Sequence, residues 1–531
     1  MTSGLTLDWV SPLPPARSGI ADYSRDLLPA LSALCDLRVI RLADQPVSEE
    51  VERRWRPAPA DDLGRDGRLP LYQMGNNRHH REVWRLAHRV PGVLTLHDVA
   101  LHHLLIELTL AENGPDAYRD RLVADHGWWG GATADARRYL GSRPSALFGL
   151  PAHRTLLRRQ RGVLVHSRWA ERTVGEQDPG VAVRVVPMGV PLADPTGADA
   201  AAAWRRARGI PDGARLIGSF GFQTPIKRTD RAIRALANEA LAGAHLLIGG
   251  ERSDGLGLER VAAEAGVGDR VHLLGFLGYE EYELAMGACD LCLNLRYPTA
   301  GETSASLLRE LALGKPAVVS DYAQFAELPD DVAVRIPLGE GEIEALARAA
   351  GELLAAPSRL AAMSAAARRF IAERHAPERA ARAVAEACAE LAPLDPPGDN
   401  AFVAPPPSSL VWHDLSGGLT VEGARLPWRR GEARRLRLTL RNASFARWLS
   451  AASDPGGVMI EVQWRPDDST DPTARQWLEL PRELAPDRSL DLEISVRRPL
   501  EGAEILMIEP HVKGIGGFNT AGGPTWTLRL E

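Results

Sequence analysis

Short apolar runs alternate with amphipathic stretches along the first 390 residues. LTLDWV, RVIRL, LPLYQM, GVLTLH, GVLVHS and VRVVPM come first; LIGSFG, HLLIGG, VHLLGF, DLCLNL, PAVVSD and VAVRIP follow after about residue 195. Helical patterns such as SGIADYSRDLLPALSAL and YEEYELAMGA fall between most of them. Uninterrupted apolar strands separated by helices are the mark of a parallel sheet covered on both faces. Two such series predict two doubly wound α/β domains, residues 1–192 and 193–390, with the last helix of the second packing back on the first. The Gly-, Pro- and Ala-rich segment 187–204 is the expected connection. Ligands of such sheets sit at strand C-terminal ends, which places one between the halves.

The pattern breaks at 391–410, where six of twenty residues are proline, and this stretch reads as a linker. Beyond it, RRLRLTLRN, VMIEVQW, LDLEISV and TWTLRL have period two, with the turn signals DPGG and APDR among them. Residues 411–531 are therefore expected to form an antiparallel β-sandwich. Six of the thirteen tryptophans lie there. Most suit a sandwich core, and an exposed one would suit the face of a sugar ring.

Composition then removes whole classes. The 531 residues are 45% apolar and 25% charged, the balance of an ordinary globular protein. With 63 basic and 69 acidic side chains the net charge is −6, without the basic excess that nucleic-acid binders carry. Cys35, Cys289, Cys292 and Cys388 are too scattered for a disulfide framework, so a reducing cytoplasm is expected. No apolar run approaches the roughly 20 residues that span a bilayer, and MTSGLTLDWV does not read as a signal peptide. The reading is a soluble protein, at most resting on a membrane surface.

The most informative chemistry lies in LNLRYPTAGETSASLLRELALGKPAVVSD, residues 293–321. A buried strand ends at Arg296, a Pro/Gly loop follows, and a helix is expected to start near Glu302–Ser304. Free N–H groups at such a start form an anion site suited to phosphate. Glu302 and Glu310 would lie about 12 Å apart along the axis if both are helical, one meeting a sugar and the other a ribose. Each could equally be an ordinary helix-dipole or solvated residue. In SFGFQTPIKRTDRAI, Lys227 and Arg228 could face a diphosphate, or form a basic pair on a solvated helix face. In the first domain, Gly19 opens a helix after strand one, where a missing Cβ permits close approach of a ligand. GNNRHH and HDVALHH gather Asn76, Asn77, His97 and His102 at strand ends, with Asn76, Asn77 and His102 as candidate acceptor-side groups. No HExxH or Cys/His set accompanies them, so no metal and no cofactor are expected.

Together these stretches resemble the family 4 retaining glycosyltransferases of GT-B fold, over about residues 5–390. The resemblance rests on Glu302-TSASLLR-Glu310, on the ALGKPAVVSD turn and strand, on Lys227, on Gly19 and on His97. It implies two Rossmann-like domains facing a nucleotide-sugar cleft and metal-independent transfer with retained configuration; the chain has no Asp-x-Asp motif. It implies that Lys227 stabilises the diphosphate, Glu302 orients the donor sugar, Glu310 holds the ribose, Gly19 admits the phosphate and His97 sits beside the sugar. The sequence departs from the family at Phe222, where an arginine is common, and Arg228 is the expected substitute. It departs again at Thr303, Ser304 and Ala305, which replace Gly-Phe-Gly and add hydroxyls to the donor site, and at Met188, where asparagine is frequent.

The implied partners are a nucleotide-sugar donor and a saccharide or lipid-linked acceptor, in surface polysaccharide or glycolipid synthesis in a bacterium. The C-terminal part looks like the immunoglobulin-like domains appended to some bacterial polysaccharide enzymes. Residues 137–161 carry seven arginines and no acidic residue, which fits contact with anionic lipid at the inner face of the plasma membrane, or a solvated helix face. Two other readings compete. One is a GT-B enzyme of another reaction type, a phosphorylase or sugar-nucleotide epimerase; the other is a non-catalytic glycan-binding or assembly protein.

Overall fold

All twelve apolar runs form strands, the central ones buried on both faces. In this computed structural model, residues 4–43, 45–141, 144–193, 197–339, 341–398, 405–412, 415–467, 472–517 and 523–530 are described. β1 (Thr6–Val10), β2 (Asp36–Ile40), β3 (Leu69–Met74), β4 (Val93–Leu96), β5 (Gly162–Val165) and β6 (Val183–Val185) make one sheet, in the order β2-β1-β3-β4-β5-β6. β7 (Leu216–Phe220), β8 (His245–Gly249), β9 (Val271–Gly275), β10 (Leu291–Asn294), β11 (Ala317–Ser320) and β12 (Ala333–Ile336) make a second, in the order β12-β11-β10-β7-β8-β9. Every pairing in both sheets is parallel. The strand order reverses between β1 and β3 and again between β7 and β10. Diverging loops open a crevice at such points.

The chain divides into two compact units. The first holds both parallel sheets, in residues 1–114, 153–337 and 341–402. One apolar cluster runs through it, from Leu7 and Trp9 of β1 through Leu27 and Leu31 of the first helix to Leu307 and Leu311 of the Ala305–Ala312 helix. The Pro377–Leu391 helix follows the second sheet in sequence but contributes Ala380, Val384 and Leu391 to this cluster. A Cβ on Gly162 of β5 would lie 2.5 Å from Leu391 Cδ2, so the helix covers the first sheet closely. Residues 194–196 of the expected connection and 399–404 of the expected linker lie outside the described residues.

The second unit comprises residues 115–152, 338–340 and 403–531. It carries an antiparallel sheet of Gly417–Glu422, Ala433–Asn442 and Ser489–Arg497. The other sheet has Ala474–Glu479, Val458–Arg465, Ile505–Val512 and Gly516–Gly517 in that order, with Trp526–Arg529 also paired to Ile505–Val512. Trp412, Trp428, Trp448 and Trp464 are buried, while Trp477 is exposed. The segment 115–152, expected within the first domain, belongs to this unit instead. Aromatic packing accounts for it: Trp129 stands edge-on to Phe445 at 5.4 Å, and Trp412 fills the space where Gly149 would bear a Cβ.

Candidate active site

A cavity of about 520 Å³ opens at the two switch points. Its walls are the 14–19 loop after β1, Gly221 and Phe222 after β7, Gly250 after β8, Arg296 after β10, and residues 302–306. Ser18 starts the Gly19–Ser32 helix by accepting from Ile20 N at 3.3 Å, and Ser304 starts the Ala305–Ala312 helix by accepting from Leu307 N at 3.4 Å. Two helix N-termini therefore meet one cavity. Each carries first-turn N–H groups without intrahelical acceptors and roughly half a positive charge. Gly19 lines the space, and a Cβ there would meet nothing within 4 Å. Gly221 (φ +100°) and Gly250 (φ +137°) are needed for another reason: a Cβ on Gly250 would stand 2.1 Å from Gly221 O, and one on Gly221 would stand 2.5 Å from Lys227 Nζ.

Behind this wall lies a charged cluster. Lys227 ends the short Pro225–Lys227 turn, and its ammonium donates to Phe220 O. Glu310 is fully buried; its Oε2 accepts from Asn294 Nδ2 at 3.5 Å, and its Oε1 has no hydrogen-bond partner among the described residues. Burial pushes the Lys227 ammonium down, the Arg296 charge adds to this, and Glu310 and Glu302 oppose it. Burial likewise pushes the Glu310 carboxyl up against the charge of Lys227.

Glu302 corrects the expected helix start. The helix begins at Ala305, so Glu302 lies in the preceding loop and the 12 Å axial spacing does not apply. The loop turns at Gly301 (φ +83°), where a Cβ would meet Val99 Cγ2 at 2.6 Å. Glu302 Oε1 pairs with Arg296 Nε at 2.8 Å, and Oε2 accepts from Thr299 Oγ1 at 2.9 Å and Ala300 N at 3.0 Å. Nearby Asp98 accepts from Asn76 N at 2.8 Å; burial, reinforced by the Glu302 charge, raises its pKa to about 7. Because the folded state holds this proton more tightly than the unfolded chain, stability falls as pH rises from about 4 to 7. Asp98→Asn is expected to raise thermal stability at pH 8, with the gain vanishing toward pH 4; a pH-independent difference between the two proteins would refute it.

The other candidates are placed as follows. Thr303, Ser304 and Ala305 line the cavity. Arg228 does not: one edge of its guanidinium, Nε and Nη2, donates to the two carboxylate oxygens of buried Glu342, and it stacks over Tyr297 at 5.6 Å. His97 is enclosed. Its Nε2 meets Gln73 Oε1 at 2.9 Å, its Nδ1 meets His166 Nε2 at 3.2 Å, and Tyr23 stands edge-on at 4.8 Å. His166 Nδ1 must donate to Val186 O at 3.0 Å, so His97 Nδ1 donates to His166, and a neutral His97 then accepts at Nε2. Turning the Gln73 amide supplies that donor and pairs the otherwise unpartnered Gln73 Nε2.

Asn76 spends its side chain on Leu104 N at 2.9 Å and His103 Nδ1 at 3.1 Å, and Asn77 accepts from His79 N at 3.0 Å. His102 is buried at the start of the His102–Leu108 helix. These three organise loops and line neither the 520 Å³ cavity nor a second one of about 770 Å³ bounded by His166, Ser167, Thr303, Ser304 and His375. The arginine-rich stretch is not one patch either. Arg154 and Arg158 are buried against Asp178 at 3.4 and 2.9 Å, while Arg138 pairs with Asp116 at 3.1 Å and Arg143 lies outside the described residues.

The sequence reading did not select Arg296, Gly221, Gly250 or Tyr282 as site residues. For the first three the signal was position, since SFG, LIGG and NLR all end strands at or beside the second switch point, while Tyr282 lies within the Tyr279–Gly287 helix.

Residues 201–370 match the model of glycosyl transferases group 1. The matched stretch contains all of the second sheet together with Lys227, Arg296, Glu302 and Glu310. Over 228 residues the chain is 28% identical to the 2-deoxystreptamine glucosyltransferase of Streptomyces kanamyceticus, covering 41% of this chain and 58% of that protein. It thus spans little more than half the length of that relative. Among solved structures, Anabaena HepE in complex with UDP superposes with a TM-score of 0.52 at 17% identity, over 73% of this chain and 100% of that one. A glycosyltransferase from Rickettsia africae does so with a TM-score of 0.52 at 11% identity, over 73% and 99%. At such identities the likeness is one of fold: the two parallel sheets are the Rossmann-like pair of GT-B, followed by an antiparallel domain. No helix among the described residues is long and apolar enough to cross a membrane.

Proposed function

We propose that this protein is a retaining, metal-independent glycosyltransferase. It moves a hexose-type sugar from a nucleoside-diphosphate donor to a saccharide or lipid-linked acceptor in surface polysaccharide or glycolipid synthesis. The observation that carries the reading is the convergence of two helix N-termini on one cavity at both switch points, with the Lys227 ammonium directly behind Gly221 in its wall. That arrangement attracts a diphosphate and provides charge stabilisation from the protein itself. The glucosyltransferase relative and the UDP bound in the Anabaena structure support a nucleotide-sugar donor.

In this reading Lys227 steadies the diphosphate, the 303–305 turn and Gly19 receive its oxygens, Glu310 holds the ribose, and Glu302 orients the sugar. The acceptor hydroxyl oxygen bonds to the anomeric carbon on the face the diphosphate leaves. The breaking C–O bond returns its electron pair to the diphosphate, and the departing phosphate oxygen takes the acceptor's proton. His97 acts from behind, setting His166, which lines the second cavity. The domain limits near 192 and 390, an immunoglobulin-like character for the C-terminal strands, and a cytoplasmic site of action belong to the same proposal.

Incubation with UDP-, GDP- and dTDP-sugars in excess EDTA is expected to release nucleoside diphosphate slowly from one donor without acceptor. The retained anomer should appear by NMR once an acceptor is supplied. Epimerised sugar nucleotide would favour the epimerase reading, and neither release nor thermal stabilisation by any donor would favour a binding protein.

A further inference from the structure

We propose that Arg296 is the second cation that holds the donor diphosphate, working beside Lys227. This rests on the donor reading above and adds to it a residue in the position that Arg228 does not fill.

The backbone brings the two cations together. Arg296 follows β10 and Lys227 lies in the loop after β7, and these are the strands on either side of the second switch point. Tyr297 N donates to Ile226 O at 2.9 Å, which ties the residue after Arg296 to the residue before Lys227. Arg296 N donates to Ser320 Oγ at 3.0 Å, fixing the strand end from its other side. The side chain is buried, yet it lines the cavity.

The other arginines at this cavity are committed elsewhere. Arg309 is bound to Asp26 at 2.6 Å and to Tyr279 Oη at 2.9 Å, and Arg17 stacks over Phe276 at 4.5 Å. Arg296 lies over the Phe325 ring at 5.8 Å and has one ion pair among the described residues, from Nε to Glu302. A planar guanidinium anchored through one nitrogen keeps donors for a second anion, and phosphate oxygens match that fork. Burial lowers the Lys227 ammonium and the Arg296 charge adds to it, so the two cations repel and an entering dianion relieves both. Glu302 then has a double task, since it meets the sugar and aims Arg296.

The test uses the full chain and compares affinities for a nucleoside diphosphate and its nucleoside, UDP with uridine and GDP with guanosine, by calorimetry. Arg296→Met is expected to weaken the diphosphate roughly 10- to 100-fold while leaving the nucleoside unchanged. Arg296→Lys should recover part of the loss, because it keeps the charge and loses the fork. If diphosphate and nucleoside weaken together, or neither does, Arg296 does not hold the diphosphate. If Arg296→Met does not fold, the ratio measured in Arg296→Lys and Arg296→Gln decides, and an unchanged ratio in both overturns the assignment. Wild-type protein that binds neither pair, and stabilises with no sugar nucleotide, would instead remove the donor reading itself.

Discussion

Lys227→Ala is expected to lower the kcat for nucleoside diphosphate release by about 10²- to 10³-fold, the usual cost of removing one preorganised donor from developing negative charge. The effect should fall on kcat more than on donor KM if the ammonium acts mainly on the departing diphosphate. The loop is otherwise held without the side chain, since Lys227 N bonds Thr224 O at 3.0 Å and Tyr297 N bonds Ile226 O at 2.9 Å. The variant should therefore fold, and an unchanged melting temperature with bound nucleotide would verify this. Unchanged turnover with donor still bound would remove Lys227 from the chemistry.

Asp8→Ala is expected to destabilise the first unit by about 3 kcal/mol, toward the lower end of what breaking a buried ion pair costs. Asp8 is fully buried in β1, where it accepts from Arg38 Nε and Nη2 at 2.8 and 2.9 Å, Arg68 Nε at 3.1 Å and Gly64 N at 2.7 Å. It clamps the start of β2 and β3 to β1. The two arginines keep other acceptors, Asp62 O and Asp36 among them, which limits the loss. Hydrogen exchange of the β1, β2 and β3 amides should accelerate; protection equal to wild type would show that the clamp carries little energy.

The strands were legible because a parallel strand buried on both faces is an apolar run with nothing else to be. The C-terminal sheets were equally plain from their alternation. Helix limits near the site were less so: TAGETS has the small and acidic residues of a helix start, yet Glu302 leaves the helical path to meet Arg296 and the 299–300 backbone. Arg228 and Arg296 show the same limit for charge. In sequence Arg228 sits beside Lys227 and Arg296 is 69 positions away, but the first is neutralised by Glu342 on a distant helix and the second is delivered by β10. His97 misled similarly: it and His166 each follow an apolar run in the sequence, but that one ring covers the other is set by β4 and β5 lying side by side. Which unit receives residues 115–152 depends on aromatic partners such as Trp412 and Phe445, some 300 positions downstream, that no local pattern announces.

The Pro377–Leu391 helix sets the order in which this molecule can become finished on the ribosome. The first sheet is complete in sequence at Val185, but the helix that seals Gly162 and β5 is made about 190 residues later. At translation speeds of about 5–20 residues per second, the early sheet waits roughly 10–40 seconds with an apolar face uncovered. Its halves are therefore poor candidates for separate expression, and a chain cut after the second sheet would leave that face as a surface for aggregation or for chaperones.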